Sequence, residues 1–191
     1  MYMSIEAACD SIGTAGIWPD FVDMRFRLLL RHWAESRCGL MAPRGMIDPI
    51  AIKSCLPNVW MMQYLADSDD FRCTLAGEAV NQAWGQSIIG KRPSDYMPAG
   101  MLRRAQETYR RMLAMPALQV SRRPITRTDA MEQGAERLIL PVSDDAGKPY
   151  GLFGMTLYYL GTQSRIGNPQ DMQGEVTFYP CTGLPAVPPD A

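Results

Sequence analysis

A chain of 191 residues can bury a core without metals or disulfides and is short for two full domains. Hydrophobic residues at 47% and charged residues at 20% exclude wholesale disorder and coiled coil. The 19 basic and 20 acidic residues leave a formal net charge of −1, which argues against general binding to a nucleic-acid backbone.

The longest uncharged stretch, between Lys148 and Arg165, is interrupted by Gly151, Gly154 and Gly161. It falls short of the ~20 apolar residues of a membrane helix. No Lys or Arg precedes Arg25, so the basic start of a secretory signal is missing. Cys9, Cys38, Cys55, Cys73 and Cys181 are widely spaced and form no CxxC pair, which fits idle thiols in a reducing cytoplasm better than a disulfide or zinc framework. A cytoplasmic protein without membrane or nucleic-acid partners is the resulting expectation.

Residues 1–22 are rich in Ser, Gly, Ala and Thr without a clear period and read as a loose lead-in. From Asp23, Phe26, Leu29, Leu30 and Trp33 recur at helical spacing, with Gly39 beyond them as a stop. Asp48-Pro49 opens a second, short helix that Leu56-Pro57 ends. Val59 to Leu65 is apolar on both alternating faces, as in an interior strand. In the next run Phe71, Cys73 and Leu75 alternate with Arg72 and Thr74, and the intervening Asp67 to Asp70 turn makes the pair a hairpin. A small helix (Glu78 to Trp84), a loop (Gly85 to Pro98) and a long helix (Ala99 to Met115) come next. Strands follow at Leu118 to Thr126, Glu136 to Ser143 and Tyr150 to Leu160. Residues 161–191 are Gly/Pro-rich, with at most a marginal edge strand at Glu175 to Tyr179. Strands on either side of a helical insert define an antiparallel α+β domain over residues 23–160, with helices on one face.

The local sequence resembles the PAS domain family, in particular small single-domain PAS-like proteins of bacterial, mainly alphaproteobacterial, origin. The resemblance runs through Trp33 and Arg37, Pro43-Arg44, Ile47-Asp48-Pro49, Leu56-Pro57, Phe71-Arg72 and Leu75-Ala76-Gly77. It continues in Gly85, Ile89-Gly90-Lys91, Glu136 to Pro141 and Gly154. It covers about residues 24 to 160; Ala76-Gly77-Glu78 departs from it, since the group more often has a Gly-Thr pair there. The resemblance implies a PAS-like five-stranded antiparallel sheet with small helices over one face, preceded by an N-terminal helix. PAS relatives bind haem, flavin, small metabolites or nothing, and commonly dimerise through that helix, so the fold does not name the ligand.

Haem and flavin both fit poorly. His32 is the only histidine and lies on the first helix, outside the expected pocket. The Asn-Cys-Arg motif of flavin-binding PAS proteins is missing, and Cys73 reads as core. A nucleophilic triad cannot be assembled around His32, and the carboxylate pairs Asp69-Asp70 and Asp144-Asp145 fall in turns. Asp95-Tyr96 is the remaining candidate for acid–base chemistry. Two groups stand out for binding. Trp60, Met62, Tyr64, Trp84, Met97, Met101 and Phe153 are candidates to line a pocket between sheet and helices, since Met and aromatic side chains adapt to varied ligands; a filled core is the competing reading. Arg104, Arg111, Arg122 and Arg123, within a basic run, are candidates for an anion or an acidic partner, although Glu107 can neutralise part of that run.

The expected function is a non-catalytic sensory module that binds a small molecule or recruits a signalling partner, as a homodimer. The alternatives are a ligand-free interaction scaffold using its outer sheet face or basic helix, and a small acid–base enzyme.

Overall fold

The computed structural model describes residues 10–13, 16–128, 131–160 and 175–188. Strand β1 (Asp10–Ile12) is followed by helix α1 (Met24–Glu35), which starts where Asp23 accepts the Arg25 backbone N–H at 2.8 Å. Its buried stripe is Phe26, Leu29, Leu30, Trp33 and Ala34, the spacing seen in the sequence. A two-residue strand β2 (Ala42–Pro43) follows. The expected helix at Asp48 is displaced. The Asp48 carboxylate instead closes a turn by accepting the Ile50 N–H at 2.8 Å, and a 3-10 helix runs from Lys53 to Asn58 with Pro57 inside it.

β3 (Val59–Leu65) and β4 (Asp70–Ala76) form the antiparallel hairpin, and α2 (Glu78–Trp84) ends at Gly85 in the left-handed region. α3 (Ala99–Ala114) leads into the long strands β5 (Ala117–Thr128), β6 (Met131–Ser143) and β7 (Pro149–Leu160), and β8 (Glu175–Pro180) comes last. The sheet has the order β1-β8-β5-β6-β7-β3-β4, with β2 parallel to one end of β6. The five consecutive strands β5-β6-β7-β3-β4 are all antiparallel, which is the expected α+β core.

Three expectations need correction. The lead-in is not loose over its last part: Trp18 and Phe21 are buried in the same cluster as α1. The tail also packs. β8 lies inside the sheet between β5 and β1, and Cys181 is buried beside it. Helices cover both faces of the sheet. α2 and α3 meet the face bearing Trp60, Met62, Ile139 and Leu152, whereas α1 covers the opposite face, bearing Met61, Leu140, Phe153 and Met155. An outer sheet face open to a protein partner is therefore not what these strands present.

Arg37 ties the two chain ends to that outer layer. Its guanidinium lies 5.2 Å from the Trp18 ring and 5.5 Å from the Trp33 ring, and donates to the Pro185 carbonyl at 2.6 Å. Trp33 completes the clasp by donating its indole N–H to the Pro141 carbonyl at 2.9 Å, so α1 is keyed to β6.

Candidate ligand pocket

On β3, β6 and β7 the side chains alternate between two buried faces, so register decides what points at α2 and α3. Opposite Trp60 stands Gly154, and opposite Thr156 stands Arg137. Trp60, Met62, Arg137 and Tyr158 come from the strands, Val80 and Trp84 from α2, Tyr109 from α3, and Ile88, Tyr96 and Met97 from the intervening loop. Together they line a narrow, partly open cleft with a free volume of about 20 Å³.

The loop is positioned by its own polar groups. The Asn81 carboxamide accepts the Ile88 N–H at 3.1 Å, drawing the loop back onto α2. Asp95 accepts the Arg92 N–H at 2.8 Å and closes a one-turn 3-10 helix that begins at Pro93 and delivers Tyr96 inward. Tyr96 then stands edge-on to Trp84, with ring centroids 4.8 Å apart. Asp95 itself is exposed, so the Asp95-Tyr96 pair is split between solvent and pocket and does not form an acid–base dyad.

Arg137 is the polar centre. Its Nε donates to the Thr156 hydroxyl at 3.1 Å, and that oxygen also accepts the Trp60 indole N–H at 3.0 Å. Tyr158 stands beside the same Arg137 guanidinium, whose charge opposes the effect of burial on its phenol. The Tyr96 hydroxyl is buried and has no hydrogen-bond partner among the described residues. Burial raises the pKa of Tyr96, Tyr109 and Tyr158 above the ordinary phenol value, against the opposing pull of the Arg137 charge, and Tyr109 is pushed up to about 12. The three phenols are thus neutral donors at physiological pH.

That shift has a sign that can be checked. Between the unfolded phenol pKa of about 10 and the native value, the unfolded chain binds fewer protons, so stability falls as pH rises through this window. An ultraviolet titration is expected to show fewer phenolates in native than in denaturant-unfolded protein at a pH of about 11. Identical native and unfolded titration curves would mean that these phenols are solvated.

Of the seven pocket candidates, Trp60, Met62, Trp84 and Met97 line the space. Phe153 does not, because it belongs to the layer under α1. Tyr64 packs on Phe71 at 5.4 Å and donates its hydroxyl to Asp69 at 2.9 Å, away from the lining residues. Met101, half-buried in the first turn of α3, is not part of the lining either. Sequence reasoning missed Tyr96, Tyr109, Arg137 and Tyr158 as lining residues. For Arg137 a signal existed: it falls on the same alternation as the apolar Ile139.

The basic candidates do not converge. Arg104 is exposed on α3, and Arg111 stacks over the Phe178 ring at 4.5 Å. Arg122 sits on the opposite side of the sheet, where it pairs with Glu136 at 2.8 Å, lies over the Phe21 ring and donates to the Asp20 carbonyl. It secures the N-terminal segment. The Arg123 side chain lies outside the described residues. His32 sits on α1, where its Nε2 accepts the Asp48 N–H at 2.9 Å, away from the pocket.

With this geometry in place, the comparisons with known proteins give the family. A family model described as a PAS domain matches residues 23–157, and the chain belongs to that family. No curated protein matches it. Among solved structures, the chain is similar to VqmA bound to DPO, with 16% identity over 58% of this chain and 56% of that one and a TM-score of 0.44. It is similar also to a Vibrio cholerae VqmA–ligand–DNA complex, with 18% identity, 57% and 49% coverage and a TM-score of 0.42. A third is the Vibrio cholerae VqmA dimer in the absence of target DNA, with 17% identity, 58% and 51% coverage and a TM-score of 0.42. The chain spans about half the length of the solved chains it matches. Likeness at this level carries no ligand across. It does overturn the exclusion of nucleic acid, because VqmA is seen in complex with DNA and net charge over one domain is no ground for that exclusion. No helix among the described residues is long and apolar enough to cross a membrane.

Proposed function

We propose that the chain is a non-catalytic sensory module of the PAS family that holds a small organic molecule between its sheet and α2, α3 and the loop joining them. The observation that carries this reading is the inward convergence of Arg137, Thr156 and the Tyr96 and Tyr158 hydroxyls inside an aromatic wall. Such a wall with a few convergent polar groups is what orients small ligands. VqmA bound to DPO supplies a parallel for a small-molecule role in a similar structure. The resemblance of residues 24 to 160 to small PAS-like proteins of alphaproteobacterial genomes supports a bacterial cytoplasmic setting. Occupancy would be reported through contact with another protein. The scaffold alternative loses its principal surface, since α1 covers the outer face of the sheet.

Native mass spectrometry beside the denatured mass tests the reading. The expected result is a native mass above an integer multiple of the chain mass, or restoration of such a complex when small-molecule extract is added back. A clean integer mass under both conditions would overturn it.

A further inference from the structure

We infer that the cleft holds a single halide ion, chloride being the abundant one, seated on the Arg137 guanidinium; this goes beyond the small-molecule reading and does not depend on it. Size is the first argument. A free volume of about 20 Å³ has room for one particle of about the size of water. With Tyr109 against Trp60 at 6.1 Å and Tyr96 edge-on to Trp84 at 4.8 Å between centroids, it has none for a ring. The occupant is therefore one water or one monatomic ion.

Charge decides between the two. Arg25, Arg27, Arg92, Arg110 and Arg122 each pair with a carboxylate at 2.7 to 3.5 Å. Arg137 forms no such pair among the described residues, and no Asp or Glu is among the residues lining the cleft. A guanidinium keeps its charge in proteins, and a half-buried one is costly unless something anionic completes it. A water leaves that charge uncompensated, and a metal cation would add to it. The hydrogen-bonding groups agree in sign. The Thr156 hydroxyl takes one of the five N–H donors that a guanidinium carries. The Tyr96 hydroxyl is a buried donor that no described residue satisfies. Burial keeps Tyr96, Tyr109 and Tyr158 protonated, with the Arg137 charge acting on each, so they donate to an anion rather than repel it. A halide accepts from several donors at once and has no proton of its own to place. A carboxylate or sulfate would find the same donors but is too large for the space.

The test is thermal unfolding in sodium chloride or bromide against sodium gluconate at equal ionic strength. The expected result is a saturable rise in Tm with either halide, by about 3–6 °C once the halide stands at tenfold its Kd. Arg137→Gln should erase the rise, and Arg104→Gln should leave it unchanged. Circular dichroism checks that each variant is folded. Tyr96→Phe carries the test if Arg137→Gln is not: it removes one donor at nearly constant shape and should weaken halide binding about tenfold. In gluconate it should unfold no earlier than the native protein, because the hydroxyl it removes has no partner there. Anomalous scattering from a bromide-grown crystal should place the ion against Arg137. Equal Tm in halide and gluconate, a full halide response in folded Arg137→Gln, or a water in place of bromide at Arg137 would each overturn the inference. Native mass spectrometry of organic ligands judges the small-molecule reading separately.

Discussion

Replacing Trp33 with alanine is expected to cost about 3–5 kcal/mol of folding stability, the range for emptying a fully buried aromatic site. Trp33 is 0% exposed and is held by three different parts of the chain. Its ring packs among the α1 stripe and the strand residues beneath it, its indole N–H reaches Pro141, and its face supports Arg37, which in turn binds the Pro185 carbonyl. The substitution therefore opens a cavity, leaves the Pro141 carbonyl unsatisfied and removes one wall of the clasp at once. For a chain of this length the loss corresponds to a fall in Tm of roughly 6–20 °C. Trp33→Phe separates the terms: it keeps most of the volume and should cost about 1–3 kcal/mol, chiefly for the orphaned carbonyl. Urea unfolding followed by circular dichroism measures both. A loss below about 1 kcal/mol for Trp33→Ala would mean that α1 is not seated on the sheet.

Gly154→Ala is expected to damage stability and pocket together. Any β-carbon there would overlap the Trp60 indole, which lies flat across the glycine. The indole has little freedom to yield, being 4% exposed and tied through its N–H to Thr156 at 3.0 Å. Overpacking of this kind costs about 1–3 kcal/mol. The displaced ring also moves into the space it lines and shifts the Thr156 hydroxyl that positions Arg137. Ligand binding should therefore fall along with the unfolding midpoint. Trp60→Phe in the Gly154→Ala background removes the overlapping atoms and should recover part of the loss, a coupling that a double-mutant cycle reads directly. Simple additivity of the two substitutions would show that the ring and the glycine are not in contact.

Elements built from local pattern are legible in the amino-acid sequence. The β3 and α2 boundaries agree with the sequence reading at Val59–Leu65 and Glu78–Trp84, because each is bounded by its own turn residues. β1 is not legible as a sheet member, and β8 is legible only as a marginal edge strand at Glu175 to Tyr179, since their stability comes from pairing between distant segments that no window of sequence contains. The pocket divides along similar lines. Phe153 and Leu152 are both apolar and both buried, so a strand covered on two faces offers no alternation to tell inside from outside. Placing Phe153 requires knowing that α1 lies on the second face. Arg137 escapes notice because a charged residue in a strand reads as surface, whereas its neighbours in space are Thr156, Tyr158 and the loop that carries Tyr96.

The position of β8 also bears on the order in which the molecule is built. Of the strands described, β1 is made first and β8 last, yet Ile12 stands opposite Phe178 and the two segments depend on each other. A chain emerging from its N-terminus holds β1 without that partner until residues 175–180 arrive. Over the same interval β5 exposes a row of unsatisfied backbone groups where β8 will lie. A polypeptide stopped at residue 157, where the family match ends, would keep that bare edge permanently and offer it to the next copy.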